Sequence, residues 1–271
     1  MITDYIDSEF IRQCIPNVQF EVEGERPIGE KLAPFIRDAA NQLISEYLMP
    51  GDFLKQLDRE IAMQYIVVTA FADAVPSLDI VVTPTGFGVV NTETVAPASK
   101  ERVERLVDSL RNSSASLLDY LITRVRTYPE WRESERGKYF CSTFLPNPKD
   151  VTLTGADSYD TMRTYAIQGE SLISRHFLGS KLMNRLREEY NACSPEKFLE
   201  LHSIVRSVVL ECVRARVRHV PLIHNDVWRL CQPVFQCLRC HQEYFDIWHN
   251  EMGNLFDHTQ FKNDVKGAFY F

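Results

Sequence analysis

From Phe35 onward, apolar residues recur at three- and four-residue steps over most of the chain, a spacing that calls for a mainly α-helical fold. Phe35, Ile36, Ala39, Ala40, Leu43, Ile44, Tyr47 and Leu48 make the first such face. Pro50-Gly51 breaks it, and Asp52 is placed to cap the next helix by accepting a bond from a free backbone N–H. That helix carries Phe53, Leu54, Leu57, Ile61, Tyr65, Val68 and Ala72, and is expected to stop near Pro76. A third is opened by Pro97 and Glu101 and carries Val103, Leu106, Val107, Leu110, Leu117, Leu118, Leu121 and Val125. Asn112-Ser113-Ser114 interrupts its pattern, and a kink or a division is expected there.

Two stretches depart from the helical period. Residues 17–23 alternate strictly, which predicts a short half-buried strand ended by Gly24 and Pro27. Residues 78–83 and 87–91 are rich in Val and Ile and are separated by Pro84-Thr85-Gly86. Pro presets the first turn position and Gly takes the positive φ of a bulged turn, so a β-hairpin is expected. A two-stranded hairpin is marginal alone, and it must lean on helices or pair with another chain.

The second half repeats the helical theme after a junction at 127–160, punctuated by Pro129, Pro146, Pro148 and Gly155, with strand-like pieces at Tyr139-Phe140 and at 151–153. Leu172, Ile173, Phe177, Leu182, Met183, Leu186 and Tyr190 then mark helix. Ser194-Pro195-Glu196 starts another, with Arg214, Arg216, Arg218 and His219 near its negative end and Pro221 as its stop. A last helix runs from about Asp226 to Trp248, and Pro233 predicts a kink or a true start. Leu43-Ile44-Ser45 resembles Leu172-Ile173-Ser174, and Phe53-Leu54 with Leu57 matches Leu182-Met183 with Leu186 at one constant offset. The halves read either as a duplication or as two amphipathic patterns alike by chance. The expected architecture is two helical-bundle units, the first with an inserted β-hairpin. Its order is an N-terminal arm at 1–30, a unit at 31–126, the junction, a second unit at 161–252 and a tail at 253–271.

Charge and composition narrow the function. Thirty Lys and Arg against 37 Asp and Glu give a net charge of −7, which argues against coating nucleic acid through bulk charge. No stretch approaches the ~18 apolar residues of a membrane span, and the acidic N-terminus lacks the features of a signal peptide. Seven cysteines, an odd number in a large chain, read as reduced cytosolic thiols.

Motifs for chemistry are sparse. Cys237-Leu238-Arg239-Cys240-His241 has the letters of covalent haem attachment, but it falls within a continuous helical period and no export signal precedes it. Zinc on Cys237 with Cys240 or His241 is the alternative of another class, a metal-binding enzyme or regulatory module; small core cysteines on a packed helix explain the same letters. Carboxylate pairs such as Asp58 with Glu60, and Glu188-Glu189, sit on polar helix faces and read as solvated charge. No catalytic, cofactor or metal residue is assigned, and the chain is read as non-enzymatic.

The run from Pro76 through Val90, continued by Val95-Ala96-Pro97-Ala98-Ser99-Lys100-Glu101-Arg102-Val103-Glu104-Arg105-Leu106, resembles a family of uncharacterised structural proteins. These occur in tailed phages and prophages of gut anaerobic bacteria and are similar to head–tail connector (adaptor) proteins. The resemblance implies a homo-oligomeric ring in the virion neck, assembled in the host bacterial cytoplasm. Its partners would be portal and tail proteins, with packaged DNA passing through the lumen and no membrane. A tail-completion or minor capsid protein is the alternative within the same class. The contact residues expected are the hairpin tip, Thr83, Pro84, Thr85, Gly86 and Phe87, and the aromatic terminus, Phe269, Tyr270 and Phe271.

Overall fold

Residues 65–72 are apolar on nearly every side, and a helix of that kind must be surrounded. In the computed structural model, which describes residues 2–15, 27–51, 53–78, 80–83, 86–89, 99–221 and 223–256, they form the middle of the helix at the centre of one unit. The chain divides into two compact units, one ending at Ser142 with Pro146–Val151 added, the other formed by Thr143–Leu145 and the chain from Thr152. Among the described residues the fold is mainly α.

In unit 1, a 3-10 turn at Ile2–Tyr5 leads to helix α1 (Ser8–Cys14), whose N-cap Asp7 accepts from Phe10 N–H at 2.8 Å. Helix α2 (Ile28–Gln42) passes into a π-helical turn at Leu43–Tyr47. Helix α3 (Gln56–Leu78) follows and packs against α1, α2 and α4 (Lys100–Val125). Ile61, Ala62, Ile66, Val67, Phe71 and Ala74 are all buried along it. Strands β1 (Ile80–Thr83) and β2 (Gly86–Val89) lie between α3 and α4 in sequence and pair antiparallel, Ile80 opposite Val89 and Thr83 opposite Gly86. Two short helices, α5 (Pro129–Glu133) and α6 (Glu135–Phe140), close the unit.

Unit 2 contains α7 in part (Asp150–Thr154), α8 (Tyr159–Ile173), a π-helical turn at Ser174–Leu178, and α9 (Ser180–Ala192). A 3-10 turn at Pro195–Lys197 leads to α10 (Glu200–Val217), α11 (His224–Leu238) and α12 (Gln242–Phe256). Helix α10 is central, packed by α8 and α11. At its crossing with α8 a Cβ on Gly169 would stand 3.0 Å from Cys212 Cβ, so the small residue sets how near the helices lie.

Several elements differ from the sequence reading, each for a local reason. Helix α4 runs unbroken through Asn112-Ser113-Ser114. Ser114 is buried there, its hydroxyl 2.6 Å from that of Thr69 on α3, so the polar residue marks a helix crossing and not a break. Helix α3 continues two residues past Pro76, because a proline in a last turn removes only one backbone bond. Tyr139-Phe140 and residues 151–153 are helical. Two or three β-favouring residues are too few to outweigh a cap such as Ser134, whose hydroxyl accepts from Gly137 N–H at 3.0 Å. The last helix is two helices, broken at residues 239–241, with Pro233 inside the first. Helix α3 begins after Phe53 and Leu54, while Asp52 and the strand expected at 17–23 lie outside the described residues.

The two units share one device. Helices α2 and α8 have fifteen residues each and run directly into a five-residue π turn. The turns close alike, Leu48 N–H donating to Leu43 O at 3.0 Å and Gly179 N–H to Ser174 O at 2.8 Å. A π turn widens the helix and leaves carbonyls at its end to find other donors. In each unit a tryptophan supplies one: Trp131 Nε1 donates to Tyr47 O at 3.1 Å, and Trp248 Nε1 to Phe177 O at 2.9 Å. Leu43 therefore stands in the place of Ser174, not of Leu172, so the offset suggested by the sequence is displaced. Past the π turns the units diverge, since unit 2 interposes α9 before its central helix.

Candidate functional site

The residues singled out at the hairpin tip are only partly within view. Thr83 and Gly86 end β1 and β2 as a pair, and Phe87 pairs with Val82. Pro84 and Thr85 lie outside the described residues, as do Phe269, Tyr270 and Phe271 of the tail.

Open space gathers instead around the N-terminal segment of unit 1. A cavity of about 1050 Å³ lies where α1, α3 and α4 meet, lined by Phe10, Cys14, Val68, Leu117 and Tyr120 among others. A second of about 920 Å³ separates residues 2–11 from α2, with Ile2, Ile6, Ala33, Ile36 and Ile44 on its walls. A third of about 520 Å³ lies beside the π turn, bounded by Ile2, Tyr5, Leu48 and Phe53. These are clefts open to solvent and not interior voids, and the first is lined largely by polar residues, among them Gln64, Arg105, Asp108 and Asn112. Exposed Tyr5, Leu57, Leu106 and Tyr120 belong to the same unit.

The ionisable clusters join helices together. Asp58 is fully buried and not on a polar face, which corrects the sequence reading. It accepts from Arg124 Nε and from Tyr128 OH, and so ties the first turn of α3 to the end of α4. Burial, reinforced by that bond, pushes the Tyr128 phenol up to about 12. In unit 2, Glu189 accepts from Tyr244 OH at 2.7 Å and from Arg185, with His202 Nε2 at 3.4 Å. Burial pushes the Glu189 carboxyl up, but these partners together hold it below its ordinary value. Burial lowers the pKa of His202, whose Nδ1 accepts from Leu199 N–H at 3.2 Å. Glu251 caps α9 by accepting from Ser180 N–H at 2.8 Å and Lys181 N–H at 2.9 Å, close against Gly179 (φ 79°), where a Cβ would meet the carboxylate at 2.7 Å.

Glu170 is the exception in sign. It is buried, accepts from Phe144 N–H at 2.7 Å and from Arg187 Nη1 at 3.1 Å, yet burial dominates and raises its pKa to about 7. The protonated form is thus favoured by folding. Its contribution is complete below the unfolded value near 4.5 and is lost as pH rises through about 7. Denaturation of the protein at successive pH values should show unit 2 losing up to about 3 kcal/mol across this window. The Glu170→Gln variant should flatten that slope. An unchanged slope would show that Glu170 does not titrate there.

The Cys237-Cys240-His241 motif falls at the corner between α11 and α12 and not within one helix. Cys237 is buried and Cys240 exposed, and among the described residues no three His, Cys, Asp or Glu are grouped to hold a metal ion. Burial pushes the Cys212 thiol up to about 11, Cys231 up to about 12, and raises Cys237 as well. Thiols held protonated neither attack nor ligate readily. A maleimide at neutral pH should therefore modify Cys240 at least ten times faster than Cys231, as followed by peptide mass spectrometry. Equal rates would contradict the burial of Cys231. Among the described residues, no helix is long and apolar enough to cross a membrane.

Residues 27–141 match a family of unknown function (DUF6712). That span runs from α2 through α6 and so takes in most of unit 1. No curated protein and no solved structure matches the chain.

Sequence patterning missed Asp58 and the two tryptophan-closed π turns. Asp58 stands four residues after Leu54, three before Ile61 and seven before Tyr65, on the apolar face of the helix, and that spacing is the signal that marks it as buried. A signal for the turns existed in Trp131 and Trp248, large side chains whose N–H must find an acceptor when buried.

Proposed function

We propose that the chain is a non-enzymatic structural protein of a tailed-phage virion, a head–tail connector (adaptor) that assembles as a ring of identical copies between portal and tail. The observation that supports this reading most is the set of solvent-open clefts on unit 1, of about 1050, 920 and 520 Å³, together with the exposed Tyr5, Leu57, Leu106 and Tyr120 of the same unit. A surface of that kind is completed when neighbours close it. The β1–β2 hairpin is, in this reading, an insert that joins neighbours: it is a two-stranded sheet among the described residues, and such a pair gains stability from further partners. Thr83, Pro84, Thr85, Gly86 and Phe87, with Phe269, Tyr270 and Phe271 of the tail, are the contact residues proposed. A net charge of −7 suits a lumen through which packaged DNA slides, since fixed cations would hold phosphates. The virion neck is the proposed location, reached by assembly in the host cytoplasm.

Co-expression with a tailed-phage portal protein, followed by negative-stain imaging, tests the reading. Rings of this chain stacked on the portal axis are expected. A protein that stays single and leaves the portal bare overturns it.

A further inference from the structure

We propose that the corner joining α10 to α11 in one copy docks in the cleft between residues 2–11 and α2 of the next. This deepens the connector reading and rests on its claim that copies associate.

The corner is apolar, basic and held in shape. Helix α10 ends with His219 at φ 55°, a conformation few residues other than glycine adopt. His219 N–H donates to Arg216 O at 3.0 Å, and Val220 N–H to Ala215 O at 2.8 Å. A closure of this kind commonly packs the residue in the place of Val220 back on its own helix, yet Val220 is 52% exposed. Ile223 is 59% exposed, although its N–H is held by Asp226 Oδ2 at 3.2 Å. Leu153, also exposed, is brought to the same end of α10, its carbonyl accepting from Arg214 Nε at 2.9 Å. Backbone bonds on both sides of the corner thus keep apolar side chains in solvent. Arg214 is paired with Glu211 at 2.6 Å, whereas Arg216 and Arg218 stand exposed with no carboxylate partner among the described residues.

The cleft has the opposite charge and the same apolar character. Ile2, Ile6, Ile36 and Ile44 line it, together with the exposed acids Asp7 and Glu30. Residues 2–15 add to that balance, carrying the acids Asp4, Asp7 and Glu9 against the single cation Arg12. An apolar corner flanked by cations is therefore complementary to an apolar cleft edged by acids, the apolar contact giving affinity and the charges fixing register. In a chain of net charge −7, whose copies repel one another at a distance, such a pairing offsets the repulsion where it matters, at contact. The two surfaces are different, so the contact is heterologous, the kind that repeats around a ring.

Two full-length variants test it by sedimentation velocity. Arg218→Glu/Ile223→Asp spoils the corner, and Glu30→Arg/Ala33→Arg spoils the cleft. All four residues are exposed, so both variants should keep the helical content of the unaltered chain. Each alone is expected to weaken association by about tenfold or more. Mixed in equal amounts, each supplies the surface the other lacks, so the mixture should form pairs and go no further. Variants that associate as the unaltered chain does, which is also the outcome if the chain's own residues cover the cleft, overturn this contact and leave the connector reading standing. A mixture that stays single does the same. An unaltered chain that is single at every concentration overturns both. Should a double change disturb the fold, Val220→Asp and Asn41→Arg, at exposed positions of the corner and the cleft, give the same readings.

Discussion

Replacing Trp131 by alanine is expected to destabilise unit 1 by about 4 kcal/mol, the range for truncating a large buried aromatic. The side chain is fully buried and its N–H donates to Tyr47 O at 3.1 Å. Its ring stacks on Phe140 at 6.2 Å, and Phe140 stacks in turn on Tyr47 at 5.9 Å. One residue thus fills space and closes the π turn. Trp131→Phe separates these roles, since it keeps most of the ring and removes the donor; a loss of about 1–2 kcal/mol is expected. Trp248→Phe should cost unit 2 a similar amount through the Phe177 carbonyl. Urea denaturation of the three variants measures all of this. Trp131→Phe matching wild type would mean that the Tyr47 carbonyl is satisfied without the indole. The backbone around Trp131 is equally tight, for a Cβ on Gly137 would stand 1.8 Å from Trp131 O.

Asp58→Ala should cost about 3 kcal/mol. Truncating the acid leaves the buried Tyr128 hydroxyl and the Arg124 guanidinium without their shared acceptor, and unpaired buried polar groups are costly. Arg124 keeps 36% of its side chain in solvent, so its own share is small and the Tyr128 hydroxyl carries more. The companion change Tyr128→Phe removes one donor cleanly and should cost about 1 kcal/mol. A double-mutant cycle between positions 58 and 128 then gives the coupling. Asp58→Ala within 0.5 kcal/mol of wild type would show that the buried acid is dispensable.

How far the fold is readable from the sequence depends on the range of the forces involved. The spacing from Phe35 to Leu48 reveals α2 because a face of three- and four-residue steps is a property of one helix alone. The run at 65–72 likewise announces a helix surrounded on all sides. Ser114 misleads because a hydroxyl reads as solvent-facing until Thr69 on another helix is placed beside it. Asp58 misleads in the same way, its partners lying some seventy residues away in sequence. The corner at Cys240-His241 is hidden because the apolar period passes from α11 to α12 with little interruption, and Pro233 draws the expected break to the wrong position. The resemblance rests mainly on residues 76–106, of which 79, 84, 85 and 90–98 lie outside the described residues.

The central claim is that unit 1 is completed only by further copies of the chain. Native mass spectrometry of the full-length protein, over a hundredfold range of concentration, tests it most directly. The account expects closed oligomers that persist on dilution. A single chain at every concentration, with helical content unchanged, would contradict it.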